Sequence, residues 1–241
     1  MLYGIFSDVH SNLEALEAVL QDISSQKVDR ILCAGDLVGY GADPSACLER
    51  LQAQGVQSVC GNHDWAAAGK LSLDWFNPLA RAAAGWTARH LSSEEKQFLG
   101  ALPLLWEGMG LMMAHGSLHE PEVFHYLFQP EEALPSLGLQ RTPVAFIGHT
   151  HLPGFFVQEG FQVRLIEPPR FRAQVGQKVL VNVGSVGQPR DGDPRAAWCR
   201  YDSATGEIEI RRVPYPVERA RQKIEAAGLP EFLGRRLLEG Y

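Results

Sequence analysis

Apolar and polar positions along the N-terminal part of the chain switch between two periods. Residues 2 to 7, LYGIFS, form a short apolar run ending at Asp8, the pattern of a buried strand. Ser11 is placed to cap a helix, with Glu14 three residues on, as a capping box requires. Leu13, Leu16, Val19, Leu20 and Ile23 then fall on one face at helical spacing. Residues 30 to 34, RILCA, read as the next strand and close on Gly35-Asp36. Asp43 and Pro44 form an N-cap and first-turn pair for a second helix reaching about Gln54. Val56 to Cys60 form a third strand, ending in Gly61-Asn62-His63-Asp64. This alternation predicts βαβ units around a sheet covered on both faces.

The pattern changes after residue 65. Residues 65 to 100 are rich in Ala, Trp and Leu, helical in pieces and broken near Asn77-Pro78. They predict a helical insertion over the face where the preceding strands end. LLWEGMGLMMAHG reads as a hairpin whose second strand ends at His115. Residues 117 to 142 are irregular, with a helix around Pro130 to Leu137. VAFIGHTH, residues 144 to 151, is an apolar strand running into a polar cluster. The runs FFVQ, FQVRLIE, KVLVNVG, AAWCRYD and EIEIRRV predict a second, more antiparallel sheet. The tail, 215 to 241, is helical from Pro216 to Ala227 and again in a short Leu/Arg-rich stretch. No repeat, low-complexity tract or linker interrupts the chain, so residues 1–241 are expected to form one domain.

Composition narrows this picture without redirecting it. An apolar fraction of 45% and a charged fraction of 21% in 241 residues are those of an ordinary globular protein with room for a sizeable core. The net charge of −6 argues against a dedicated nucleic-acid binder, which usually carries basic excess. The start, MLYGIFSDVH, lacks a basic n-region and meets a charge at Asp8, so no signal peptide is expected. No apolar run is long enough for a membrane span. Cys33, Cys47, Cys60 and Cys199 show no CxxC spacing. The expectation is a reduced, cytoplasmic protein with neither disulfides nor a zinc-thiolate site.

The candidate chemistry sits at one kind of place. Five apolar strands end in metal-capable residues: Asp8 with His10, Asp36, Asn62 with His63 and Asp64, His115, and His149 with His151. In an open α/β sheet, sites form outside the carboxyl ends of strands. Taken singly, Asp8 is a loop residue, Asn62 a turn former and His115 a polar strand terminus. Their common topological position is what points to a site. The donors are all oxygen or imidazole, which suits Mn²⁺, Fe, Zn²⁺ or Ni²⁺ better than a soft metal.

Here the sequence resembles the calcineurin-like metallophosphoesterase superfamily. The motifs carrying the resemblance are Asp8-Val9-His10, Gly35-Asp36-Leu37-Val38-Gly39, Gly61-Asn62-His63-Asp64, His115-Gly116 and Gly148-His149-Thr150-His151, in that order. Asn182 to Arg190 extends it toward a bacterial and archaeal branch of small phosphodiesterase-like members. The resemblance implies an α/β fold, a four-layer α/β/β/α sandwich of two mixed β-sheets flanked by helices. It implies two divalent metal ions, Mn first, with Fe, Zn, Ni or Mg as alternatives. One would take Asp8, His10, Asp36 and His151; the other Asp36, Asn62, His115 and His149, with Asp36 bridging. Two such ions about 3.5–4 Å apart clamp the attacking and leaving oxygens of an in-line displacement, and a hydroxide bridging them is available near neutral pH.

By the same resemblance His63 contacts the phosphoryl group and assists the leaving oxygen, as an imidazole titrating near neutrality can. Asp64 is expected to hold it in the required tautomer. Tyr40, in Gly39-Tyr40-Gly41, and Arg190, after the strand at 178 to 184, are candidate substrate contacts, since guanidinium matches phosphate. Trp65, Trp75, Phe76 and Trp86 in the insertion are expected mainly to pack helices.

The expected activity is hydrolysis of a phosphomonoester or phosphodiester, with a small nucleotide-type substrate ahead of others. A serine/threonine protein phosphatase is the nearest alternative enzyme, and a nuclease is disfavoured by the acidic balance. A non-catalytic metal-binding interaction module is the alternative of another class. Non-catalytic relatives depart from the catalytic histidine motif, whereas His63 is present. The oligomeric state and the native metal are left open by the sequence.

Overall fold

The structure, a computed structural model, describes residues 1–241. Strand β1 (Leu2–Phe6) shows how the strands divide their faces. Tyr3 and Ile5 point into a core shared with a second sheet, while Phe6 packs under helix α1 (Leu13–Ser25). This period-two division repeats on other strands. On β6 (Val144–Ile147), Val144 and Phe146 enter the same central core, and Ala145 and Ile147 face outward toward α6 (Leu134–Leu139).

Two six-stranded sheets result. In the first, β1 pairs in parallel with β2 (Arg30–Cys33), which pairs in parallel with the two-residue β3 (Gln57–Ser58). The other edge of β1 pairs antiparallel with β11 (Ala196–Asp202), followed by β12 (Glu207–Val213) and β9 (Arg170–Arg172). The second sheet runs β4 (Leu105–Gly108), β5 (Leu111–Ala114), β6, β10 (Lys178–Asn182), β7 (Gly154–Glu159), β8 (Gln162–Ile166). Helices α1 and α2 (Pro44–Ala53) cover the first sheet and α6 covers the second, which makes the expected four-layer sandwich of mixed sheets.

The later strands do not form a separate antiparallel sheet, as their pattern had suggested. They split: β7, β8 and β10 join the second sheet, and β9, β11 and β12 join the first. The reason lies in β11. Ala197, Cys199 and Tyr201 enter the core between the sheets, while Ala196 and Trp198 pack under α1. A strand apolar on both faces needs cover on both, so it sits beside β1 rather than in an exposed sheet. The short β9, with one apolar residue between two arginines, carries almost no periodic signal.

The caps also differ in detail. Asn12, not Ser11, caps α1, its side chain accepting from the Ala15 N–H at 3.1 Å. Ser11 has φ 54°, so the helix starts after it, and its hydroxyl accepts from Gly39 N–H instead. Glu14 is taken up by Arg219 and Lys223. Pro44 does open α2, but the Asp43 side chain makes no cap bond and pairs with Lys223 at 2.8 Å.

The stretch after β3 is three helices, α3 (Asn62–Ala67), α4 (Pro78–His90) and α5 (Ser93–Ala101). Asn77 caps α4 with Pro78 behind it, which explains the break there. The tail forms α7 (Val217–Ala226) and α8 (Glu231–Glu239). Ile224, Leu233 and Leu237 pack against Tyr40, Phe76 and the alanines of α4, so the tail forms part of the wall beside the strand ends.

Candidate functional site

The carboxyl ends of β1, β2, β5 and β6 converge with the N-terminus of α3. Asp8, His10, Asp36, His115, His149 and His151 are all buried there. Five of the six have left-handed backbone: Asp8 (φ 56°), His10 (48°), Asp36 (52°), His149 (70°) and His151 (63°). A non-glycine residue pays roughly 1 kcal/mol or more for this conformation, and it persists only where surroundings enforce it. The enforcing contacts are visible. Asp8 N–H donates to Gly35 O at 2.9 Å, His10 N–H to Asp36 O at 3.1 Å, and His149 N–H to Asp8 Oδ2 at 3.0 Å. Gly61 is a packing necessity, since a Cβ there would stand 2.0 Å from Asp36 Oδ1.

Backbone carbonyls then fix three imidazole tautomers. His10 Nδ1 donates to Val38 O at 3.2 Å, His115 Nδ1 to Ala34 O at 2.8 Å, and His151 Nδ1 to Gln188 O at 2.5 Å. Each neutral ring so held presents a bare Nε2 lone pair inward, as outer contacts to metal-binding histidines typically arrange. His10 Nε2 and His151 Nε2 face one another at 3.1 Å. Two lone pairs at that distance repel unless a cation or proton stands between them. Asp8 Oδ1 lies 3.2 Å from His151 Nε2 and makes no conventional hydrogen bond. Asp36 Oδ2 stands 3.6 Å from His10 Nε2 and 3.2 Å from His115 Nε2, between the two halves of the cluster. His149 Nδ1 approaches His115 Nε2 at 3.0 Å. Asn62 opens α3, and its buried Oδ1 has no partner. A divalent cation fits this donor set: converging lone pairs, two carboxylates and orphaned oxygens.

Charge balance says the same. Burial alone would raise both aspartates, but His151 and His115 hold Asp8, and His115 and His63 hold Asp36, well below the ordinary range. Burial depresses His115, yet Asp36 and Asp8 outweigh it and push it up to about 9. Burial lowers His151 to about 4 and His63 to about 3. The metal-free cluster therefore keeps its carboxylates charged while most of its imidazoles stay neutral.

His63, second residue of α3, stands beside the cluster. Its N–H donates to Asp36 Oδ1 at 2.9 Å, and its ring packs against Tyr40, Phe76 and His10 at 4.5, 4.9 and 4.9 Å. Asp64 does not do what the sequence suggested. Its Oδ1 accepts from Leu37 and Val38 N–H at 2.9 and 3.2 Å, and its Oδ2 from Gly61 N–H at 2.9 Å. At the third position of α3 its side chain turns back over the helix start, away from the ring, and His63 Nδ1 has no partner. Asp64 is thus a clamp on the loops bearing Asp36 and Asn62.

Arg190 pairs with neither Asp191 nor Asp193, which bond Arg212 and Arg195. Its guanidinium donates to Gln188 Oε1 at 2.8 Å and lies 5.8 Å from the Tyr40 ring. Tyr40, Asn62, His63, Phe76 and His149 line a cavity of about 670 Å³ over the cluster. Trp75 is 82% exposed at its edge, Trp65 packs on Phe124, and Trp86 stacks on His90 outside it. The opposite wall comes from residues the sequence reading passed over. Tyr126 stacks on His149 at 3.8 Å, and Phe124 lies 6.1 Å from His115. The run Phe124-His125-Tyr126-Leu127-Phe128 was the available signal, inside a stretch without periodicity.

A family model, the calcineurin-like phosphoesterase superfamily domain, matches residues 1–205. An uncharacterized protein of Methanocaldococcus jannaschii is 40% identical over 99% of this chain and 98% of its own length. A metallophosphoesterase from Sphaerobacter thermophilus has a crystal structure similar over 100% of this chain and 99% of its own, with TM-score 0.88 and 37% identity. A hypothetical protein of Pyrococcus horikoshii shares the fold at TM-score 0.82 and 18% identity, covering 100% and 98% of the two chains.

Proposed function

This chain belongs to the calcineurin-like phosphoesterase superfamily, and from that premise we propose a metal-dependent hydrolase of small phosphate esters, nucleotide-type substrates first among them. The observation carrying the proposal is the set of carbonyl-fixed imidazoles whose free Nε2 atoms converge on Asp8 and Asp36. Asp8, His10, Asp36 and His151 would hold one divalent ion, and Asp36, Asn62, His115 and His149 the other, Mn²⁺ foremost. When bound, such a pair polarises a phosphoryl oxygen and makes hydroxide available near neutral pH. No step needs a protein nucleophile.

The chain's own residues do the rest. His63, beside Asp36 and on the cavity wall, is placed to donate a hydrogen bond from its neutral ring to the phosphoryl or leaving oxygen. Arg190 offers an unpaired guanidinium to phosphate, held by Gln188 and by the Tyr40 face. Tyr126, Phe124 and Trp75 offer flat apolar surface on which a base can stack, which favours a nucleotide over a phosphoprotein loop. The tail belongs to this unit, because α8 packs against Tyr40, and we read residues 1–241 as one working domain. No helix is long and apolar enough to cross a membrane, and all four cysteines are free and buried, which supports a cytoplasmic setting.

The test is hydrolysis of bis(p-nitrophenyl) phosphate, p-nitrophenyl phosphate, dinucleoside polyphosphates, cyclic nucleotides and a phosphopeptide, with Mn²⁺ supplied. Metal-dependent release from the small esters is expected. Preference for the phosphopeptide would favour a protein phosphatase, and no release from any of them would overturn the enzymatic reading.

A further inference from the structure

We propose that His119, Glu120 and His125 form a separate surface site for a borderline divalent ion such as Zn²⁺, Ni²⁺ or Cu²⁺, at the rim of the cavity. His125 Nε2 lies 3.2 Å from Glu120 Oε2, and His119 Nδ1 lies 3.6 Å from the same oxygen. One ligand atom from each residue falls within 4.8 Å of the other two. Zinc bonds of roughly 2.0–2.2 Å in tetrahedral geometry place neighbouring ligands about 3.4 Å apart, so these spacings suit a two-histidine, one-carboxylate set with an open fourth position.

The backbone builds the arrangement. Glu120 (φ 47°) and Phe124 (φ 56°) are left-handed, and the 3-10 turn Pro121–Val123 between them folds residue 125 back toward residue 119. The two imidazoles end stacked, 6.2 Å apart. No lysine or arginine pairs with Glu120, whose only ionic neighbours are these rings. The turn is seated on the strand end behind it: a Cβ on Gly116 would come 2.7 Å from His125 O. An ion here would tie down the segment that carries Phe124 and Tyr126 over His115 and His149.

The experiment counts metal. Metal-free wild-type protein, His119→Ala and Glu120→Gln are dialysed to equilibrium against micromolar Zn²⁺, and bound zinc per chain is measured by plasma mass spectrometry. Wild type is expected to hold one ion more than either variant, and Asp36→Asn, which damages the buried centre, is expected to keep the rim ion. This difference is independent of how many ions the buried centre takes and of whether the protein hydrolyses any ester. Circular dichroism melting of the metal-free proteins separates a lost fold from a lost site, and both exposed substitutions should leave it unchanged. Equal zinc in wild type and folded variants would overturn the proposal.

Discussion

At the residue scale the site is a set of constraints on protons. Carbonyls at Val38, Ala34 and Gln188 fix which nitrogen of His10, His115 and His151 faces the cluster, so the orientation of these rings is set by backbone outside the cluster. His63 is held differently, by its backbone and by aromatic contacts. His63→Ala should lower kcat by roughly 10²–10³-fold, the usual worth of one positioned hydrogen-bond donor to developing charge, with bound metal unchanged. Joint loss of metal and turnover would mark His63 as structural. Asp64 is expected to matter for stability more than chemistry. Asp64→Ala leaves the N–H groups of Gly61, Leu37 and Val38 unpaired in the interior. Each such group costs about 1–3 kcal/mol, so thermal unfolding should move down by roughly 10–30 °C. An unchanged melting temperature would refute the clamp.

At the element scale, what matters is which elements press on the strand ends. The helices of 62–101 and the tail meet at Tyr40 and Phe76, and so set one wall of the cavity. Leu237 on α8 is 2% exposed in that contact. Leu237→Ala should cost about 2–5 kcal/mol of stability through the cavity it leaves. Because Tyr40 loses support, KM for small esters should rise more than kcat falls, which steady-state kinetics can separate. Equal KM with reduced stability would mean the tail only braces the fold. Element types in the first part of the chain were readable because α1 keeps one helical period and β1 and β2 are short unbroken apolar runs. Residues 117–129 were not, because Phe124 and Tyr126 face a cavity rather than a periodic core, whereas the helix expected around Pro130 to Leu137 appears as a 3-10 turn, Pro130–Ala133, running into α6.

At the scale of the whole molecule, folding assembles buried charge that a metal-free chain must keep balanced. His151 and His63 titrate at about 4 and about 3, below the ordinary histidine value of 6.5. The unfolded chain therefore binds their protons first as pH falls, and the native state loses stability from about 6.5 down toward those values. His115 and Asp64 run oppositely. The raised value of His115, about 9, contributes stability in full below 6.5 that is lost as pH rises through 9. Burial raises Asp64 to about 8, a contribution likewise lost as pH rises through 8. The lowered His149 adds to the acid-side fall of His151 and His63. Denaturant melts of chelated protein across this range should show the acid-side fall, and a flat profile down to pH 4 would contradict it. Adding a divalent ion such as Mn²⁺ at about a thousand times its Kd should add about 4 kcal/mol, seen as a higher unfolding midpoint.

The sequence by itself determined the metal-capable residue types, their order and their place at strand ends, because burial periodicity and chain-local turns are written in neighbouring residues. It also carried the four-layer class through the motif series from Asp8 to His151. Tertiary structure alone decided that β11 sits beside β1, that Asp64 bonds three backbone N–H groups instead of His63, and that Tyr126 roofs His149. Strand partners, side-chain rotamers and tautomers depend on groups far apart in the chain, such as Gln188 and His151. Nothing in the local pattern of either residue encodes that meeting.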